Sequence, residues 1–369
     1  MQEPSVSFHW KHPEIAAQFR TAVCLHGHTM HSEECLSFLP RYLHYVPGIS
    51  QMVSRYERRP RAVDFARAYW TPPLTPASAL RLEREQIAEL GLRAMVSLTD
   101  HDNIEAGMAL QVAADRRRTP VSVEWTVPYR RSIFHLGIHN LPAESAREWL
   151  AAMSVYTQSG DEELLPTILA ELDAIPEVLI VLNHPFWLEE GVEEGDHGPA
   201  LAHLLRRSSQ WLHAFELNGT RRWHENREAI ELARRWSRPV ISGGDRHALE
   251  PSTCLNLTSA ATFSEFAAEV RAGRSHVLFM PHYREPMALR VLEASRDILR
   301  DYPDYPGREH WTDRVFYRGE DEAARPVSEI WGGRMPWEVR PVTGLLHLFT
   351  NPSLRVALRY LFSRLEVRS

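Results

Sequence analysis

Cysteine is scarce in this sequence. Its 369 residues carry three, Cys24, Cys35 and Cys254, without CxxC spacing. That count excludes a disulfide framework and a thiolate zinc ribbon, and a reducing, cytoplasmic compartment is the expectation. No uninterrupted apolar run approaches the roughly 18–20 residues that a spanning helix needs, so no membrane span is expected. The opening MQEPSVSFHWKH lacks a basic start followed by an apolar stretch, and no signal peptide is expected. Positive charge is also in short supply. Lys and Arg total 42 against 48 Asp and Glu, a net charge of −6. Long nucleic acid is therefore disfavoured as a partner, because binding it takes a basic track. There is no internal repeat and no low-complexity tract.

Histidine, by contrast, is abundant, with 19 copies, and tryptophan with 11. Histidine is the commonest metal-ligating side chain, so its placement carries weight. Seven short apolar runs end in polar or ionisable residues: AVCLHGH (22–28), AMVSLTDHD (94–102), VSVEW (121–125), IFHLGIH (133–139), VLIVLNHP (178–185), HAFELNG (213–219) and PVISGGDRH (239–247). Their length and β-branched content predict buried strands. Helical periodicity separates most of them, over 76–90, 104–117, 145–153, 163–173, 199–208 and 225–237, and recurs over 263–272. Alternating strands and helices predict an α/β fold with a mainly parallel sheet, and about seven units favour a barrel over an open sheet. A barrel of this kind carries its site at the C-terminal ends of its strands, where the ionisable residues fall. Residues 35–75, rich in Tyr, Arg and Pro, read as an insertion over the site mouth, with Tyr42, Tyr45, Tyr56, Tyr69 and Trp70 expected to pack. Residues 286–369 lose the rhythm and read as a C-terminal extension, its apolar TGLLHLFTNPSLRVALRYLF forming one or two packed helices.

The chemistry sits at the ends of the runs. His26 and His28 are two residues apart, and such positions in a strand share a side. Glu33 follows closely, with Glu34 beside it. Thr99-Asp100-His101-Asp102 ends the second run, and Asp102 or Asn103 is available to cap the helix after it. Glu124, His135 and His184 end or occupy the next runs, and Asp245-Arg246-His247 follows the glycine pair of PVISGG. That glycine pair suits a tight backbone turn. Any one of these has a bland explanation as a cap, a core histidine or an exposed carboxylate. Recurrence at one edge points instead to a metal site, and mixed imidazole and carboxylate donors suit Zn, Mn or Fe.

The order HxH…(D/E)…TDHD…E…H…HP…DxH, over roughly residues 20–280, resembles the polymerase and histidinol phosphatase (PHP) family of metal-dependent phosphoesterases. SLTDHDNIEAG is its most specific piece, and GRSHV (273–277) is similar to a segment near the end of such domains. The resemblance implies a distorted seven-stranded, TIM-like β/α barrel over residues 1–285 and two or three divalent metal ions. It implies that His26, His28, Glu124 and Asp245 hold one ion, that Glu33, His101 and His247 hold a second, and that His135 and His184 complete a third with Glu124 bridging. The family's first carboxylate is an aspartate, and here Glu33 stands in its place.

The function expected is hydrolysis of a phosphate ester of a small metabolite or nucleotide by a metal-activated hydroxide. The alternatives are an amidohydrolase-type metallohydrolase acting on a non-phosphate substrate, a nuclease acting on nucleic-acid ends, and a binding protein with a vestigial site. Arg131, Arg246 and Arg274 lie near the motifs and are candidate substrate-binding donors. The sequence leaves an oligomer open.

Overall fold

The structure is a computed structural model describing residues 5–36, 49–59, 62–112, 119–189, 191–303, 305, 307–319, 321, 323–341, 343–344 and 352–366. The chain divides into two compact units. The first is Met1–Ser32, Leu74–Arg246 and Pro251–Arg284, and the second is Glu33–Pro73, His247–Glu250 and Glu285–Ser369. In chain order the described strands are β1 (Ser5–Phe8), β2 (Thr21–Cys24), β3 (Glu34–Cys35), β4 (Ala68–Trp70), β5 (Arg93–Val96), β6 (Val121–Tyr129) and β7 (Ser132–Leu141). They continue as β8 (Leu179–Asn183), β9 (Ala214–Asn218), β10 (Val240–Gly243), β11 (Cys254–Thr258), β12 (His276–Phe279), β13 (Val315–Arg318) and β14 (Ala324–Pro326).

All seven apolar runs are strands of the first unit: β2, β5, β6, β7, β8, β9 and β10. They belong to two five-stranded sheets, ordered β1-β12-β11-β2-β5 and β10-β9-β8-β7-β6. The fold is α/β, but the pairing is mixed rather than mainly parallel. β2–β5, β8–β9 and β9–β10 are parallel, whereas β6–β7 and β7–β8 are antiparallel. The reason lies in the connection. Only Arg130 and Arg131 separate β6 from β7, with Arg130 at φ 56°. A two-residue link makes a hairpin and leaves no room for a crossover helix.

Regular pairing also stops short of the closed barrel that was expected. Between β2 and β10, and between β5 and β6, the described residues make only the isolated bridges Gly27–Arg246 and His101–Glu124. At these places the chain has left extended geometry: His26, Asp102 and Asp245 have φ of 64°, 48° and 51°. A left-handed residue cannot continue a ladder.

The core forms where the runs are apolar on both faces. Trp125, Leu136, Ile180 and Phe215 from the strands pack with Leu165, Leu169 and Leu204 from the helices Leu164–Asp173 and Glu194–Ser208. Local signals fix the helix ends. Thr75 accepts from Ser78 N at 3.2 Å and Pro76 opens the helix Pro76–Ala88, which ends before Gly91 at φ 71°. The expected 104–117 helix is Glu105–Val112, and residues 113–118 lie outside the described part.

In the second unit the insertion and the C-terminal extension build one antiparallel sheet, β14-β13-β4-β3. Tyr56, Val63, Trp70, Val315 and Val327 form its core, with Trp331 against it. Tyr56 Oη accepts from Val63 N and Trp331 Nε1, and Tyr69 stacks on Phe316. These aromatics therefore pack. Tyr42 and Tyr45 lie outside the described residues. The apolar tail contains the helix Pro352–Glu366, whose Arg355 and Arg359 pair with Glu293 and Glu285 at 3.0 and 3.1 Å. Among the described residues, no helix is long and apolar enough to cross a membrane.

Candidate metal centre

Glu124 is the hub of the first unit's polar interior. It sits within β6, fully buried, and five histidines converge on its carboxylate. Oε2 is 2.8 Å from His26 Nε2, 3.4 Å from His28 Nε2 and 3.5 Å from His101 Nδ1. Oε1 is 3.1 Å from His184 Nε2 and 3.5 Å from His135 Nδ1, and accepts from Asn183 Nδ2 at 2.9 Å. Asp245 Oδ1 lies 3.5 Å from both His26 Nε2 and His28 Nε2.

The backbone that presents these groups is unusual. His26, Asp102, His184 and Asp245 all have positive φ. Non-glycine residues rarely occupy that region, and each costs about 1–3 kcal/mol that its surroundings must offset. His26 and His28 therefore do not share a side by strand alternation. The left-handed turn at His26 brings both rings to Glu124, and Asp245 N→His26 O (2.7 Å) with His28 N→Arg246 O (2.8 Å) locks the turn.

Further buried groups fix the orientations. Glu216, within β9, takes His26 Nδ1 through Oε1 at 2.6 Å and His184 N through Oε2 at 2.7 Å. Gly243 gives Glu216 its space, since a Cβ there would lie 1.3 Å from Glu216 Oε1. Neither Gly243 nor Gly244 has a positive φ. The expected turn glycines instead make room, Gly244 for Ser252. Asp245 Oδ2 accepts from Asn218 Nδ2 and Thr220 Oγ1 at 3.1 and 2.8 Å, which leaves Oδ1 toward the histidines. Asp100 accepts from Thr29 N and Oγ1 and so secures the loop after His28. Asn103, rather than Asp102, caps the following helix by accepting from Glu105 N, and Asp102 accepts from Thr126 N.

The electrostatics follow from this crowding. Burial alone would raise the Glu124 carboxyl, but His26, His101 and His135 hold it well below the usual range. Burial opposes a charge on His26, yet Glu124, Glu216 and Asp245 raise its pKa well above the ordinary value. Burial drives His135 well down, helped by His101 and His184. Asp102 is raised, by burial first.

Among the described residues of this unit, two groups of donors that share Glu124 could hold a metal ion: His26–His28–Glu124 and His101–Glu124–His135. A third cluster, His26–His184–Glu216, has the same spacing. There His26 meets Glu216 through Nδ1 while its Nε2 faces Glu124, the arrangement of a carboxylate that orients a ligating histidine. His135 thus groups with His101, not only with His184 as the resemblance implied. The structure places Glu33 and His247 in the second unit. Glu33 is half-exposed and paired with Arg318, whereas His247 Nε2 lies 3.3 Å from Glu34 Oε2. Arg131 is 82% exposed on the hairpin turn, 4.0 Å from Asp196. Arg246 is buried and donates to Glu83 at 2.8 Å, and Arg274 is exposed in the loop before β12.

Glu216, Asn183, Asn218 and Thr220 were not singled out from the sequence. Glu216 had a readable signal, a carboxylate in the middle of the apolar run AFEL, because a buried charge needs a partner.

No family profile and no curated protein matches this chain. Among solved structures, PsfC from Pseudomonas syringae PB-5123 is similar at 14% identity and a TM-score of 0.41, over 75% of this chain and 98% of that one. A Bifidobacterium adolescentis protein provisionally described as a metal-dependent phosphoesterase gives 13% and 0.33, over 54% and 92%. An amidohydrolase from Chromobacterium violaceum, solved with sulfate and no metal, gives 16% and 0.31, over 48% and 83%. At these scores the likenesses carry no argument about activity.

Proposed function

We propose that this chain is a metal-dependent hydrolase of the phosphoesterase class, acting on a small phosphorylated substrate. The observation that supports it is the convergence of five histidines and Asp245 on the single buried carboxylate of Glu124. Packing does not call for such an arrangement, because buried like groups repel and buried charges are costly. A divalent cation does. Donors about 2.1 Å from a common ion lie roughly 3.0–3.4 Å apart. His26 Nε2, His28 Nε2, Glu124 Oε2 and Asp245 Oδ1 are separated by 2.8–3.5 Å where they face one another. These four would hold one ion, and His101 and His135, sharing Glu124, a second. His184 would complete the set, and Glu34 with His247 offers a further pair in the second unit.

A bound cation supplies Lewis acidity and lowers the pKa of a coordinated water. The chain's own residues do the rest. Glu216 and Asn218 hold His26 and Asp245 in place, and Asn183 and the histidines keep Glu124 ionised, so it is available as a ligand at neutral pH. The same reading takes the two sheets as halves of a distorted seven-stranded barrel, joined at Gly27–Arg246 and His101–Glu124. The choice of phosphoester over amide follows the motif order that resembles the PHP family. Elemental analysis of protein purified without chelator should find at least two transition-metal ions. A panel of phosphomonoesters, phosphodiesters and amides should show phosphoester turnover that chelation abolishes. Turnover of amides or lactones alone would overturn the phosphoesterase reading, and chelator-resistant activity would overturn the metal.

A further inference from the structure

A pocket opens to solvent beside the Glu124 cluster, lined by His184, Trp187, Glu216, Asn218, Arg221 and Asn226 among others. Its one cation lining group is Arg221 among the described residues apart from the imidazole of His184. The guanidinium lies over the Trp187 ring, with Cζ 3.5 Å from the centroid. Trp187 is itself pinned, since its Nε1 donates to Glu189 Oε1 at 2.7 Å and its backbone N to His184 O at 2.8 Å. The guanidinium approaches Asp245 Oδ2 only to 3.8 Å, beyond hydrogen-bond range. Its Nε is buried, and no described residue accepts from it. The pocket's carboxylates are engaged elsewhere: Glu216 by His26 and His184, Glu225 by Arg222 N.

We infer that Arg221 is the seat of the substrate's phosphoryl oxygens and that Trp187 is its positioning residue. The inference rests on the metal-dependent phosphoesterase reading and adds to it where the substrate's anion sits. The chemistry is direct. A guanidinium whose buried Nε–H has no acceptor among the described residues and whose terminal nitrogen only approaches Asp245 offers a planar fork that suits two oxygens of a tetrahedral oxyanion. Leaving such donors unmet is costly, and a bound oxyanion meets them. The indole face covers one side of the fork by a cation–π contact, which fixes its plane and leaves its edge for the ligand. Asp245 links the two sites, because its Oδ1 faces His26 and His28 while its Oδ2 faces Arg221.

The test is calorimetric titration of the metal-loaded protein with inorganic phosphate, alongside elemental analysis and a melting curve. Arg221→Gln should weaken phosphate binding at least about tenfold with metal content unchanged. Arg221→Lys should restore part of the affinity, because it keeps the charge and loses the fork. Trp187→Leu should weaken phosphate binding without lowering metal content, and Trp187→Phe, which keeps an aromatic face, should largely rescue it. Unchanged phosphate affinity in Arg221→Gln overturns the seat. Loss of metal in Arg221→Gln also overturns it, by assigning Arg221 to the support of Asp245. Trp187→Leu that melts earlier yet binds phosphate normally overturns the positioning role. Wild-type protein that carries metal but binds no phosphate overturns the seat and leaves the metal standing, whereas wild-type protein without metal overturns the reading beneath it.

Discussion

The two ends of the same strands handle polar groups in opposite ways. Before β9, His213 is buried and its bonds are complete: Nδ1 accepts from Ile180 N at 2.9 Å and Nε2 donates to Asp173 at 2.8 Å. Arg271 joins Asp173 and donates to Val178 O. The His213 ring and the terminal nitrogens of Arg271 thus each meet a partner. Past the other ends of β2, β8 and β10, and within β6, acceptors and imidazole nitrogens face one another around Glu124, and the backbone turns left-handed at His26, His184 and Asp245. The first end is built as a stable structure would build it. The second accepts local cost, and strain of that kind collects at functional sites. The apolar strands between them serve both ends alike.

The largest effects should come from breaking the hub. Glu124→Gln removes the charge that five histidines share, and metal content and turnover should both collapse. The loss should exceed the roughly 10- to 100-fold typical of losing an orienting partner. Elemental analysis beside a phosphatase assay measures it, and retention of two ions in the variant would remove Glu124 from its central place. Glu216→Gln should cost about 10- to 100-fold in metal affinity, because it frees the His26 ring without removing a proposed ligand. Gly243→Ala should reproduce that loss without altering any proposed ligand, since the added methyl occupies the space of the Glu216 carboxylate. A Gly243→Ala protein with normal metal affinity would show that Glu216 does not act through its position.

Much of the cluster around Glu124 was legible in the sequence, and the reason is physical. Most apolar runs stop where buried ionisable groups begin, so His26, His28, His101, Glu124, His184 and Asp245 could be picked out by that abrupt change, and His135, inside its run, by its place in the family's motif order. Glu216 escaped because it interrupts a run instead of ending one. Arg221 escaped because the sequence shows an arginine pair after ELNGT and does not show Trp187 coming to lie on one of them. The mixed pairing was hidden in the two-residue link of Arg130 and Arg131. The second unit was the least legible part. Its sheet joins Tyr69 to Phe316, segments far apart in the chain, and local periodicity carries no trace of such a pairing. Glu33 and His247 were assigned by chain order alone, and they fall in that unit.

The satisfied end should reveal itself through pH and not through metal. Burial pushes His213 down to about 4, although its bond to Asp173 opposes this. A histidine whose folded pKa lies below its unfolded value near 6.5 binds more protons when unfolded. Its contribution is complete above about pH 6.5 and is lost as pH falls toward 4. Protonation at Nδ1 would also forfeit the bond from Ile180 N. The full span is worth on the order of 3 kcal/mol. His139, buried and bonded to Ser97 Oγ, is pushed to about 3 and acts in the same direction. The melting temperature should therefore fall between pH 6.5 and 4, and His213→Gln should flatten that fall while leaving metal content unchanged. An unaltered slope would show that His213 is not held neutral.

The smallest effect is expected at Glu33, the residue that stands where the PHP family has its first carboxylate. Its side chain is about half exposed and pairs with Arg318 of the same unit, and Tyr69 lies close to both. An exposed pair of this kind contributes about 0–1 kcal/mol and is screened by salt. Glu34 is different. It is largely buried and lies 3.3 Å from His247 Nε2, with the Trp70 ring beside His247. If that pair serves a metal, removing the Glu34 charge removes a ligand, whereas removing the Glu33 charge removes only a surface contact. Glu33→Gln should therefore melt within about 1 kcal/mol of wild type and keep its metal. Glu34→Gln should lose part of it. The reverse result, metal lost with Glu33→Gln and kept with Glu34→Gln, would return the ligand to the position that chain order gave it and would mean that the Arg318 pair gives way when metal binds.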